Sequence, residues 1–305
     1  MRYRVWHRTT YTYDDDVTDS LGIAYLTPRE LPSQHVRSRT LRITPETEVR
    51  DDVDLHGNTA SYFQVVSRHR ELEVYAESVV DVHTPVHDEE ALARPWEEAR
   101  PAVRTDSPDG WSAWEFALPS RLADQGPEVH AYVAESLTPG RPLGEAVTDL
   151  VRRIHADFAY EQGATSVTTT VADVMAERAG VCQDFAHLTL AGLRSHGLAV
   201  RYVSGYLATT PPPGKERLVG ADASHAWSAV WVPGLPDADG VRGPGEWLAV
   251  DPTNDTRTDD RYVTVAWGRD YADVTPLKGV IFTEATTSTL DVAVDVAPVR
   301  ADGTV

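Results

Sequence analysis

Cys182, His225 and Asp251 are the residues of this 305-residue chain whose types and order could carry covalent chemistry. Cys182, the only cysteine, stands in Gly180-Val181-Cys182-Gln183-Asp184-Phe185-Ala186-His187-Leu188, where a glycine break meets an apolar helical run. That placement puts a thiol at a helix N-terminus, where unpaired N–H groups and the helix dipole favour thiolate over thiol. A lone cysteine followed by histidines and aspartates raises the question of a nucleophile; the competing reading is a small, inert core residue. A nucleophile needs a base, and the base an orienting partner. His225 heads Ser224-His225-Ala226-Trp227-Ser228-Ala229-Val230-Trp231-Val232, a strand whose alternation places His225, Trp227, Ala229 and Trp231 on one face. An imidazole at the end of an aromatic row fits a general base shielded from water, and a structural histidine bonded to a carbonyl fits as well. Asp251 closes the apolar run Trp247-Leu248-Ala249-Val250-Asp251, sharing a face with Trp247 and Ala249. Beside the His225 strand its carboxylate would hold the imidazole; read locally, it opens a turn before Pro252.

Acyl transfer to a thiolate also needs donors for the developing oxyanion. The Cys182 backbone N–H at the helix start is one, and the second is open between Gln183 and Tyr160, which spacing does not separate. Other polar features keep local readings. His187, one turn after Gln183, reads as a helix-surface histidine, and Asp222 as a loop cap ahead of His225. Residues 211–215 read as an exposed turn, and Asn254-Asp255-Thr256 as an incidental glycosylation sequon. Asp237-Ala238-Asp239-Gly240 lacks the rest of a calcium loop, no His-Glu-x-x-His pattern occurs, and one cysteine cannot build a cysteine-rich zinc site. No metal and no other cofactor is expected.

The elements that must position these groups divide the chain unevenly. Residues 1–84 read as a β-rich domain, an antiparallel sheet or sandwich, with clear alternation through 72–82 and a turn at His56-Gly57-Asn58. Residues 85–127 are proline-rich but carry Trp96, Trp111, Trp114 and Phe116, so they read as a packed connector with a short helix near 89–94. Residues 128–283 read as the core, helices first and strands after. An amphipathic helix at 143–158 buries Leu143, Val147, Leu150, Val151, Ile154 and Phe158, and a short helix covers 171–178. The Cys182 helix buries Phe185, Leu188, Thr189 and Leu193 and stops at Gly197, a left-handed cap. Strands follow at 200–207, 225–232, 247–251 and 260–266, which makes the core α+β with an antiparallel sheet. Residues 284–305 read as a strand at 290–296 and a tail.

Composition narrows the partners. A formal charge of −19 argues against nucleic acid, whose phosphates it would repel. With 41% hydrophobic and 25% charged residues the chain has an ordinary globular core, and no apolar run reaches membrane-spanning length. The first residues show no secretion-type apolar region, and one cysteine allows no internal disulfide, so the cytoplasm is the expected compartment.

Several of these segments carry a family resemblance together: Phe158-Ala159-Tyr160, Gly180 to Ala186, Leu193-Arg194 with Gly197, Arg201-Tyr202-Val203-Ser204-Gly205-Tyr206, Ser224-His225-Ala226-Trp227 and Asp251-Pro252-Thr253-Asn254. They resemble the bacterial transglutaminase-like proteins of the transglutaminase/protease superfamily, and the first 80 or so residues resemble the small β domain ahead of that core. The resemblance implies a papain-like core and a cysteine, histidine and aspartate on Cys182, His225 and Asp251. It sets its upstream oxyanion-stabilising aromatic most nearly on Tyr160. The calcium sites and β-sandwich additions of the animal transglutaminases have no counterpart here. The implied activity is thiol-dependent acyl transfer on a peptide or protein substrate. Hydrolysis of a peptide, isopeptide or amide bond is favoured. Transfer to an amine, and a non-catalytic binding module on the same fold, are the alternatives.

Overall fold

The structure, a computed structural model, describes residues 1–101, 110–163, 165–166, 168–209 and 224–299. In chain order the elements are β1 (Arg2–Ala24), β2 (Gln34–Thr44), β3 (Val49–Val53), β4 (Thr59–Val65), β5 (His69–Val82), α1 (Glu89–Leu92), α2 (Gly110–Trp114), α3 (Pro127–Ala134) and α4 (Leu143–Asp157). Then come β6 (Ala159–Tyr160), α5 (Val171–Glu177), β7 (Ala179–Gly180), α6 (Cys182–Ser195), β8 (Val200–Leu207), β9 (Ser224–Val232) and β10 (Glu246–Asp251). The chain finishes with β11 (Thr256–Arg257), β12 (Tyr262–Gly268), β13 (Leu277–Thr283) and β14 (Ser288–Pro298). Asp222 and the 211–215 turn lie outside the described residues.

The first sheet is organised by the long strand β1. Its first half pairs with β5 and β14, and its second half with β4 and β13, with register shifts around Val17 where it changes partners. The alternation of β5 buries Leu72, Val74, Ala76, Ser78, Val80 and Val82 in turn, as the period-2 pattern requires. Two boundaries set from the sequence do not follow the sheets. Residues 277–283 fall inside the expected 128–283 core with no strand expected there, and 284–305 are expected as an appended strand and tail. Both β13 and β14 instead return to β1, because a strand of this length would otherwise leave an unpaired backbone edge.

Of the connector's aromatic residues Trp96 and Phe116 are buried, Trp114 is exposed, and the Trp111 side chain lies outside the described residues. Asp88 caps α1 by accepting from the N–H groups of Glu90 and Ala91. Trp96 is buried and its Nε1–H donates to the Thr138 carbonyl (3.0 Å), while Phe116 stands edge-on to Trp247 with ring centroids 5.3 Å apart.

The core is α+β. Its antiparallel sheet runs β11-β10-β9-β8-β12, and α6 lies against β9 and β8. Helix α4 buries the predicted stripe from Leu143 to Ile154. Helix α6 is covered almost all round: every residue from Asp184 to Arg194 is buried. Gly197 takes φ +81° and closes α6, with the Leu198 N–H reaching back to the Leu193 carbonyl at 3.1 Å. Among the described residues no helix is long and apolar enough to cross a membrane.

Candidate active site

Cys182 is the first residue of α6 and stays partly exposed, while the helix behind it is buried. Two local devices fix its position. Strand β7 leads into it and is held by a parallel bridge to β6, which pairs Tyr160 with Gly180. Asp184, one turn into the helix, accepts from the Val181 N–H (2.8 Å) and from Thr165 Oγ1 (2.6 Å). Gly180 gives this carboxylate room, since an added Cβ would lie 3.0 Å from both Cβ and Oδ2 of Asp184. The first i→i−4 bond of the helix runs from the Phe185 N–H to the Val181 carbonyl, so the Cys182 and Gln183 N–H groups precede it. The thiol therefore sits beside backbone donors on a well-anchored turn.

Strand β9 brings His225 to the same end of the sheet, and β10 brings Asp251 beside it. His225 Nε2 and Asp251 Oδ2 are 2.7 Å apart. The remaining nitrogen, Nδ1, is not engaged by Asp251, and Cys182 lies near enough to the ring to raise its pKa. The structure thus brings together the three residues selected from the sequence. Burial by itself would lower the His225 pKa, but the Asp251 bond, the Cys182 contact and both charges outweigh it and push it up to about 10. For Asp251, burial works against the carboxylate, and donors led by His225 overcome it, so its pKa falls below the ordinary value.

The Asp251 carboxylate does two jobs. Its Oδ1 accepts from the Thr253 N–H (2.8 Å), which is the local turn read from the sequence. Its Oδ2 accepts from His225, from Asn254 Nδ2 (2.6 Å) and from the Tyr262 hydroxyl (2.8 Å). The side chain is fully buried, with donors on both oxygens. Asn254, quoted in the family-like segment but given no role beyond a sequon, and Tyr262, not singled out at all, are the residues whose part sequence reasoning missed. The Asp-x-x-Asn spacing was a usable signal for the first. Tyr262 had none, because it arrives from β12, beyond β8. Gly205 in β8 keeps this packing close, since an added Cβ would lie 2.1 Å from the Val263 carbonyl oxygen and 2.5 Å from Trp227 Cη2. The Trp227 and Tyr262 rings meet edge-on there, 5.3 Å between centroids.

The two oxyanion candidates fare differently. Tyr160 is half exposed, its ring 6.4 Å from that of Phe185, and its pKa is raised by burial and then by the charge of Cys182. Gln183 is the second residue of α6 and is partly buried. His187 corrects the sequence reading: it is 2% exposed, not on a helix surface. Helix α6 has no free face at this position, and His187 Nε2 accepts from the Tyr271 N–H at 3.2 Å with its ring against Tyr202. Burial holds its pKa down to about 4.

The raised His225 pKa makes a stability prediction with a definite sign. A histidine whose pKa rises on folding contributes stability that is fully present below its unfolded pKa and is lost as pH climbs through the folded one. Between the ordinary 6.5 and about 10, wild type should therefore lose its advantage over His225→Gln. Thermal melts of both proteins at pH values across that window check this, and a gap in Tm that widens with pH would contradict the His225–Asp251 ion pair.

Comparison with known proteins adds a second line of information. Residues 3–81 match the family described as bacterial transglutaminase-like N-terminal region, and residues 130–252 match the transglutaminase-like superfamily. An uncharacterized protein of Mycobacterium tuberculosis is 47% identical over 305 residues, covering 99% of this chain and 94% of its own length. Another, from Mycobacterium leprae, is 34% identical over 299 residues, covering 97% of this chain and 98% of its own. A crystal structure of a candidate cysteine protease from Cytophaga hutchinsonii superposes with a TM-score of 0.72 at 20% identity, over 97% of both chains. At that identity the likeness is one of fold. Cys182, His225 and Asp251 all fall inside the 130–252 match, whereas Tyr262 lies beyond it.

Proposed function

We propose a function from one premise: this chain belongs to the transglutaminase-like superfamily and carries the bacterial transglutaminase-like N-terminal region ahead of its core. It is a thiol-dependent enzyme that transfers an acyl group through Cys182, His225 and Asp251. The observation that carries the reading is the 2.7 Å contact between His225 Nε2 and the buried Asp251 carboxylate, with Cys182 close enough to shift the same ring's pKa.

In this mechanism His225 and Cys182 rest as an imidazolium–thiolate pair. The sulfur attacks an amide carbonyl carbon, forming the C–S bond and placing negative charge on the oxygen. The Cys182 N–H receives that charge, with the Tyr160 hydroxyl as the second donor. As the C–N bond breaks, His225 gives its Nδ1 proton to the departing amine. The thioester is then attacked by water or by an amine, whose proton His225 takes, and the C–S bond breaks to release acid or amide and restore the Cys182 thiolate beside the His225 imidazolium. Asp251 keeps the ring oriented and stabilises its charged form throughout. Water is the favoured acceptor and a peptide or protein the favoured substrate, which makes the enzyme a peptidase or amidase. A lone cysteine suits the reducing cytoplasm, where we place its action.

The test is intact mass spectrometry of the wild-type protein after incubation with glutamine-containing and isopeptide-linked peptides, with and without a primary amine. An acyl adduct mapping to Cys182, resolved to free acid, supports hydrolysis. Resolution to an amide only when amine is present moves the assignment to transfer. The absence of any adduct or turnover across the panel leaves a binding module on this fold and overturns the enzymatic reading.

A further inference from the structure

On the sheet face that carries Trp227 and Trp247, a cavity of about 700 Å³ opens between the core, the first sheet and the connector. Its size is that of a small-molecule site. The sequence leaves this space empty: Ala229 and Ala249 are cross-strand partners in β9 and β10, and both line it with methyl groups only. Larger residues at either position would have closed the floor.

Arg201, from β8, projects into this cavity. Its guanidinium carbon lies over two indole rings, 4.2 Å from the centroid of Trp247 and 3.5 Å from that of Trp267. Cation–π contact engages the charge of the group but satisfies none of its N–H bonds, which lie in the plane. No described residue accepts a hydrogen bond from it, and Nε is buried without a partner. The nearby acids are already engaged. Glu246 accepts from the Asp88 N–H and sits 3.2 Å from His87 Nδ1, and Asp259 is held by Arg261. A second cation, Arg29, stacks on Trp267 at 3.4 Å. Burial, and then the like charge of Arg29, lower the Arg201 pKa well below its ordinary value. A half-buried cation stacked against two indoles, with its buried Nε unpartnered, is a ready counterpart for a carboxylate, which meets a guanidinium edge-on through two parallel bonds.

We propose that this cavity is a binding site for a small carboxylate with a flat apolar body, its carboxylate on the edge of Arg201 and its body over Ala229 and Ala249. Occupancy has a route to the catalytic end of the sheet. Trp227 and Tyr262 line the same cavity, Tyr262 donates to Asp251, and both rings lie about 6 Å from that of His225 (6.1 and 6.2 Å between centroids). The binding itself does not depend on the acyl-transfer reading, so either can fail without the other.

Tryptophan fluorescence tests it, because Trp247 and Trp267 flank the site. Benzoate titrated into the wild-type protein at constant ionic strength should give a saturable change, and uncharged benzamide of the same shape should give none. Arg201→Met should weaken benzoate at least about tenfold, the loss expected for a charge-assisted paired contact. Equal responses to benzoate and benzamide, an undiminished response in Arg201→Met, or no saturable response to benzoate would each overturn the proposal. Should Arg201→Met fail to fold by circular dichroism, the benzoate–benzamide comparison on wild type and the Arg201→Lys variant, which keeps the charge, still decide it.

Discussion

Cys182→Ala is expected to abolish acyl transfer, by about 10⁶-fold in kcat, while the protein stays folded. The two halves of this result come from different parts of the structure. Chemically, no other thiol exists in the chain, and the carbonyl carbon has no alternative sulfur to receive it. Structurally, Cys182 is partly exposed at the first position of α6 and packs only at the margin of the main core cluster. The anchors of that turn are the Asp184 carboxylate and the β6–β7 bridge, and neither uses the sulfur. Alanine is also the best helix former, so the change should cost no more than about 1 kcal/mol. Assays on the peptide that the wild type turns over, with urea melts of both proteins, read the two halves separately. Residual activity above one part in a hundred would remove Cys182 as nucleophile. A large loss of stability would instead make it the inert core residue of the competing reading.

What the sequence made legible was local. The glycine break before Cys182, the apolar run after it and the left-handed stop at Gly197 are nearest-neighbour signals, and they bound α6 closely. Alternation in 225–232 and in 247–251 set the faces of β9 and β10, and pairing those strands puts His225 near Asp251. What stayed hidden depends on contacts between distant segments. The return of β13 and β14 to β1 spans nearly the whole chain, and nothing in 277–298 marks its partner. His187 was misread because helix periodicity separates faces but cannot tell that every face of α6 is covered. Tyr262 and Arg201 belong to the same class. One reaches Asp251 from β12, and the other finds its two indoles on β10 and β12. The readings of Asp251 as turn residue and as catalytic partner were not rivals, since one oxygen serves each.

That division of labour makes Asp251 the second position where a single change should matter most. Asp251→Asn keeps the volume and leaves Oδ1 able to accept from the Thr253 N–H, so the turn into β11 survives. What it loses is charge. The His225 pKa, held up to about 10 chiefly against burial by Asp251 and Cys182, should fall towards the value burial favours, and the imidazolium–thiolate pair with it. An amide also cannot accept three bonds at a nitrogen, so if oxygen faces the turn, His225, Asn254 and Tyr262 point at an NH₂ group. Loss of the ring's orientation and of its charge partner should cost roughly 10⁴-fold in kcat, with KM little changed. Asp251→Ala goes further, leaving the His225 ring, the Asn254 amide and the Tyr262 hydroxyl without their acceptor in a buried site. Breaking such a pair costs about 3–5 kcal/mol, read as a lowered urea midpoint. The contrast between the two variants is the test. If Asn and Ala lower stability equally while activity stays within tenfold of wild type, Asp251 is a turn residue and nothing more. If Asn spares the fold but not the rate, the carboxylate acts through His225.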